Sequence, residues 1–175
     1  DFLYVLAPGE TDAVVALSID AAGTLVEVDR ETAGPTPAAM AATPEGDLLY
    51  VLNQDDSTIS CYAVGSDGLL TEAVGSPFNT VAGVTTFPLA IEVTSDGTNA
   101  FLYTTDNDGE ITQSAIGAGG ALTLVGAGVV TGAGANYRGM ASTPGADQLF
   151  VMDAGLDEIH AYDADAAGAL TVHPS

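Results

Sequence analysis

Positive charge is almost missing from this chain. Lysine is absent, and arginine occurs only as Arg30 and Arg138, against 24 acids and a formal net charge of −22 over 175 residues. Such a chain has nothing with which to neutralise a run of phosphates, so nucleic acid is excluded as a partner, and so is an anionic membrane surface. Cysteine is nearly missing too: Cys61 stands alone, so no internal disulfide can form, and its place in an apolar stretch makes a buried, inert thiol the expectation. No apolar run reaches the length of a transmembrane helix. There is no H-E-x-x-H and no Cys/His cluster to suggest zinc, and no G-x-S-x-G to suggest a nucleophile elbow. The glycine-rich stretch at 126–137 fails G-x-G-x-x-G because Thr131 takes the third glycine position, and it reads as a loop. A helical period is absent throughout. With hydrophobic residues at 47%, however, the chain has ample material for a core.

What is present is a repeat. Tyr4, Tyr50, Tyr103 and Phe150 each follow a leucine, and a turn glycine recurs as Gly23, Gly68, Gly120 and Gly168, at intervals of 45, 52 and 48 residues. Each glycine comes nine residues after Val14, Ile59, Ile111 or Ile159 and two before Leu25, Leu70, Leu122 or Leu170. Within a copy the pattern predicts four short strands, A to D. Strand A is small and apolar (PAAMAAT, PLAIEVT, YRGMAST), and a turn of Pro, Asp and Gly follows it. Strand B is apolar on both faces (LYVL, FLYT, LFVM), strand C alternates, and strand D carries acids such as Glu27 and Glu72.

This gradient has a physical reading. Small side chains suit an inner strand where several sheets crowd one axis. Double-sided burial suits a sheet held between two others, and polar residues suit an outer edge. The expected fold is all-β, a β-propeller of four-stranded antiparallel blades, about four in this chain. A β-sandwich of short strands is the competing architecture, and the fixed register of the repeat argues against it. The expected blades are 2–28, 35–74, 86–125 and 136–173, as a single propeller or part-propeller. The first copy has B, C and D only, which gives fifteen strands. Leu3, Tyr4 and Val5 then lie beside an unfilled inner-strand slot and are the expected assembly residues. Four arrangements are compatible with this: a segment of a longer propeller, a ring completed by a second copy, a subunit whose slot a neighbour fills, or a closed four-bladed ring.

The unit PEGDLLYVLNQDDSTISCYAVGSDGLLTEAV (44–74) resembles a blade of the YVTN/lactonase-type propellers, which include the 6-phosphogluconolactonase-like proteins. The resemblance extends over nearly the whole chain at blade level. It implies propeller architecture and, as one activity the family carries, hydrolysis of a sugar lactone. Lactonases of the family often enter strand A through an H-P-R-like sequence; here the entries are TPA, FPL and NYR, so two of the three depart from it.

Chemistry in a propeller gathers at the axis, so the candidate catalytic residues are Glu92, inside strand A of copy three, and Arg138, at the entry of strand A in copy four. For Arg138 a structural ion pair with one of the many acids is the competing expectation, and strict pleat alternation puts Glu92 and Arg138 on opposite faces. His160 and His173 fall on strands C and D, where packing or surface roles are expected. The B-to-C loops are acidic, and Asp106, Asp108 and Glu110 are the candidate calcium ligands, although their spacing is not that of an EF-hand. The insert at 75–87, with Phe78 and Phe87, reads as a partner-binding loop or a lid on the blade edge. The sequence alone therefore favours a non-catalytic, extracellular or cell-surface scaffold working through protein contact and self-assembly, with no cofactor apart from a calcium option. Its partners would be copies of itself or the missing part of a longer chain. A sugar-lactone hydrolase and a cation-dependent adhesion or ligand-binding module stand as the alternatives.

Overall fold

The computed structural model describes residues 1–9, 11–80, 87–107, 109–130 and 136–174. They form four antiparallel sheets, as the repeat predicts. Blade 1 is β1 (Phe2–Ala7), β2 (Ala13–Ile19) and β3 (Leu25–Thr32), paired in that order. Blade 2 is β4 (Pro37–Ala42), β5 (Leu48–Asn53), β6 (Thr58–Val64) and β7 (Leu70–Glu72), with β8 (Phe78–Asn79) also on β6. Blade 3 is β9 (Pro88–Ser95), β10 (Ala100–Asp106), β11 (Glu110–Ile116) and β12 (Leu122–Leu124), with β13 (Val129–Val130) on β11. Blade 4 is β14 (Tyr137–Ser142), β15 (Gln148–Asp153), β16 (Glu158–Ala164) and β17 (Leu170–Val172). The described strands number seventeen rather than fifteen. The two extra ones, β8 and β13, are two residues long, too short to show any alternation in sequence. β8 brings Phe78 of the long insert onto the core between blades 2 and 3, whereas Phe87 is 54% exposed and residues 81–86 lie outside the described residues.

The core lies between blades, in three layers. Val14 of blade 1 packs with Leu49, Val51, Tyr62 and Leu70 of blade 2. Tyr50, Leu52, Ile59 and Cys61 of blade 2 pack with Ile91, Val93 and Leu102 of blade 3. Phe101, Tyr103 and Ile111 of blade 3 pack with Tyr137, Leu149, Val151 and Tyr162 of blade 4. Alternate residues of one strand therefore serve opposite interfaces, which is why strand B reads as apolar on both faces.

The two sequence columns, aromatic and turn glycine, turn out to be partners. The hydroxyls of Tyr4, Tyr50 and Tyr103 donate to the carbonyls of Gly68, Gly120 and Gly168 in the next blade, at 3.2, 3.1 and 3.2 Å. Those glycines have φ of +82°, +86° and +81°. The rings of Phe2 and Phe101 fill the place that a Cβ on Gly68 or Gly168 would take, and Cys61 and Leu48 crowd Gly120 in the same way. Glycine is thus required twice over, by conformation and by space. Burial pushes the Tyr103 phenol up to about 12. In the fourth copy Phe150 keeps the ring without the hydroxyl.

Tyr4 is tied into blade 2 through its hydroxyl. Leu3 and Val5 are 40% and 38% exposed, at the positions that Leu49 and Val51 bury in blade 2. At the other end Phe150, Met152 and Ile159 are exposed, at the positions of the buried Tyr50, Leu52 and Ile59. Among the described residues β1 pairs only with β2.

Candidate functional site

Each described inner strand carries a β-bulge at its second residue. Pro37 faces Asn53 and Ala39 faces Leu52, which leaves Ala38 extra; Leu89 and Arg138 hold the same place in β9 and β14. The first residue of each strand (Pro37, Pro88, Tyr137) is buried, and the bulged residue stands out from it. Bulges re-aim a side chain at the rim of a sheet. Here they do so at three equivalent points around the axis end of the blades. The bulge also breaks strict alternation, so the opposite-face argument for Glu92 and Arg138 does not hold at residue 138.

Arg138 is exposed on its bulge, and it forms no ion pair with an acid among the described residues. The structural ion pair expected for it is thus not seen. Arg30, in contrast, is clasped by Glu27 on β3, with both N–H groups donating at 3.0 Å. Glu92 reaches from β9 to β14, where its Oε1 accepts from the Ser142 backbone N–H at 3.0 Å and from the Ser142 hydroxyl at 2.7 Å. This crosses from one blade to the next. Glu92 therefore holds in place the strand that carries Arg138, and it makes no ion pair with Arg138 itself.

Around the same end of the blades the loops are acidic. Asp55, Asp56, Asp157 and Glu158 are exposed. Of the candidate calcium ligands, Asp106 is buried and its Oδ1 accepts from the Glu110 backbone N–H at 2.9 Å, which closes the turn. The Glu110 carboxylate lies against the backbone at Gly128. Asp108 lies outside the described residues. Among the described residues no three His, Cys, Asp or Glu side chains gather as a metal site would require.

The corner where strand B meets strand C is polar in every complete blade, a feature the sequence reading missed. In blade 2, Asn53 donates to Thr58 and Ser60 at 3.0 and 2.9 Å. In blade 4 the same positions hold Asp153 and His160. Asp153 Oδ1 accepts the backbone N–H groups of Asn136, Gly155 and Leu156, and Oδ2 is 3.4 Å from His160 Nε2. The Asn136 N–H above all holds the Asp153 carboxyl below its usual range. A lowered carboxyl stabilises the fold above the ordinary value near 4, and that contribution is lost as pH falls below it. The His160 ring sits edge-on to Tyr137 at 6.0 Å, between blades 3 and 4. Asp153→Asn is expected to lower the unfolding midpoint by a few degrees, and His160→Ser in addition to restore most of the loss by rebuilding the blade 2 arrangement. Thermal unfolding of the two variants checks this, and a double variant weaker than the single one would contradict it. The signal for this corner was in the sequence, in the aligned Asn53, Asp106 and Asp153, but all three also read as turn residues.

Cys61 is fully buried, and burial pushes its thiol up to about 11, so the expectation of an inert side chain stands on its environment.

Radial antiparallel blades with inner strands side by side and bulged residues at one rim define a propeller fold. The family model described as "Lactonase, 7-bladed beta-propeller" matches residues 1–86. The chain's structure is similar to a candidate 6-phosphogluconolactonase from Bacteroides uniformis (TM-score 0.80, 17% identity, 99% of this chain and 52% of that one). It is also similar to a protein from Lactobacillus plantarum (0.77, 20%, 98% and 53%). A third likeness is to the periplasmic gluconolactonase of Pseudomonas aeruginosa (0.58, 14%, 99% and 66%). At these identities the structures show the fold. The chain spans about half the length of the first of them. No curated protein matches it by sequence.

The family match overturns the non-catalytic, self-assembling scaffold as the leading reading and favours the lactonase alternative. The physical reason the sequence pointed the other way is that a propeller site draws one residue from each of several blades. It leaves no linear motif, so missing motifs carry no weight.

Proposed function

We propose that these blades belong to a larger lactonase-type propeller that hydrolyses a sugar lactone at the rim carrying Arg138. The observation that supports it is a guanidinium on an inner-strand bulge that forms no ion pair among the described residues, in a chain with 24 acids. In lactone hydrolysis the oxygen of water adds to the carbonyl carbon, the ring C–O ester bond breaks, and a proton goes to the ring oxygen to give the hydroxy acid. Negative charge develops on the carbonyl oxygen, and a fixed guanidinium donor is suited to hold it. Glu92 is a positioning residue, acting through Ser142 on the strand that bears Arg138. The faces carrying Leu3 and Val5, and Phe150, Met152 and Ile159, each receive a further blade, because their equivalents inside the stack are buried by one.

The test is proton release from a panel of γ- and δ-lactones by the full-length protein in a pH-stat. Arg138→Ala is expected to lower kcat by about 100-fold or more, the usual effect of removing one donor to a developing oxyanion. Glu92→Gln keeps an oxygen that can accept from Ser142 and is expected to retain most of the rate. No turnover on any lactone, or full activity without the Arg138 side chain, would overturn the reading.

A further inference from the structure

The strand that bears Arg138 is held at both ends, and the hold at its entry is one that charge can tighten. We propose that Asp153 and His160 are positioning residues for Arg138, with the charge on the imidazole setting how firmly they hold it; the consequence for turnover rests on the lactonase reading above. Near its C-terminal end β14 is fixed by Glu92 on Ser142. At its entry Asn136 is held by both backbone groups. Its N–H donates to Asp153 Oδ1 at 3.0 Å, and its carbonyl accepts the Ala154 N–H at 2.9 Å. Tyr137 follows, fully buried, with the His160 ring edge-on to it. Arg138 comes next, on the bulge. Two consecutive residues thus join the Asp153–His160 pair to the position that carries the guanidinium.

Asp153 Oδ2 and His160 Nε2 are both buried and 3.4 Å apart, yet neither makes a hydrogen bond among the described residues. Burying polar atoms in this way is costly. A neutral ring can leave Nε2 without a proton; an imidazolium cannot, and its Nε2–H then gives Oδ2 a charge-assisted bond. Imidazole is the side chain that ordinarily changes charge between about pH 5 and 8. The Asp153 carboxyl stays ionised across that range, because the Asn136 N–H above all holds it low. The hold therefore tightens as the ring takes up its proton. It is lost again only when Asp153 is itself protonated, below the ordinary carboxyl value near 4. The other groups around the ring leave this balance alone. Burial pushes the Tyr137 phenol up, Val151 lies opposite His160 on β15, Tyr162 is buried two residues along β16, and Glu158 is exposed two residues before. Blade 3 turns Phe101, Tyr103, Ile111 and Gln113 toward this layer, none of them charged in that range. Blade 2 has the neutral counterpart. There Asn53 donates to Ser60 at 2.9 Å in place of the Asp153–His160 pair, and the bulge carries Ala38. The titratable corner and the charged bulge residue stand in the same blade.

The experiment follows amide hydrogen exchange in the full-length protein by NMR between about pH 5.5 and 8. Wild type is compared with His160→Ser, His160→Gln and Asp153→Asn, and circular dichroism confirms that each is folded. The protection factor of the Asn136 N–H has the intrinsic pH dependence of exchange divided out. In wild type it is expected to be at least about fivefold higher at the acid end, the margin of a charge-assisted bond over a neutral one. The Arg138 amide and Nε–H signals are expected to move together with the His160 ring signal. Both His160 variants are expected to be flat in pH, and Asp153→Asn flat and less protected. Wild-type protection that is itself flat, or a pH dependence that survives both His160 substitutions, would overturn the proposal. The second readout is kcat on a lactone, as the ratio of wild type to His160→Gln, which cancels the other titrating groups. That ratio is expected to be about fivefold larger at the acid end, with KM little changed. A ratio flat in pH would overturn the positioning of Arg138. Turnover by none of the proteins would overturn the lactonase reading, and the exchange data would then decide by themselves whether the pair holds the strand.

Discussion

Transfer from 1 M to 0.01 M NaCl is expected to destabilise this protein by at least about 3 kcal/mol, or about 6 °C or more in unfolding midpoint for a chain of this size. Twenty-two net negative charges repel one another more strongly in the folded shell than in the expanded chain, so the compact state is destabilised as screening is withdrawn. The usual local relief is absent: among the described residues the only ion pair made by an arginine is that of Arg30 with Glu27, and the two others involve histidines. Repulsion is therefore relieved by salt and not by structure. Thermal unfolding in a sodium chloride series, with a parallel series in an uncharged osmolyte at matched water activity, separates screening from solvent exclusion. A midpoint flat in salt would contradict the argument.

The second large effect is local. Gly168→Ala is expected to cost about 3 kcal/mol. About 1 comes from placing a Cβ at φ +81°, and the rest from driving that Cβ into the Phe101 ring, with the Tyr103 bond to the Gly168 carbonyl disturbed as well. The matched control is Gly23→Ala. Gly23 has φ +83° and nothing within 4 Å of the added atom, so only the conformational part, about 1 kcal/mol, is expected there. Tyr103→Phe removes the hydrogen bond alone, at about 1 kcal/mol. Denaturant unfolding in 1 M NaCl measures all three. Equal losses at Gly23 and Gly168 would show that the contact between blades is not what the glycine column serves.

That comparison explains why the architecture was legible in the sequence. The repeat columns are aromatic and glycine because one blade's hydroxyl and ring seat on the next blade's turn. A contact made once per blade leaves a mark at blade period. The apolar, small inner strand and the doubly buried strand B were legible for the same reason, since both follow from crowding between sheets. What could not be read was single-residue geometry. A bulge adds one residue without changing composition, so alternation was carried straight through position 138. The two-residue strands β8 and β13 leave no pattern at all. That Arg138 forms no ion pair among the described residues depends on where the acidic side chains point, which no spacing records. Glu92 was conspicuous as a carboxylate in a strand of small residues, but its partner Ser142 lies 50 residues away and in another blade.

The repeated bulge has one more consequence. Ala38, Leu89 and Arg138 occupy the same backbone place with side chains that share neither size, polarity nor charge. A position outside the strand register owes nothing to the pairing around it, so the sheet does not vote on which amino acid stands there. The rim behaves as a row of interchangeable sockets on a fixed frame. Its chemistry can be rewritten one blade at a time, by evolution or by an engineer, without renegotiating the fold.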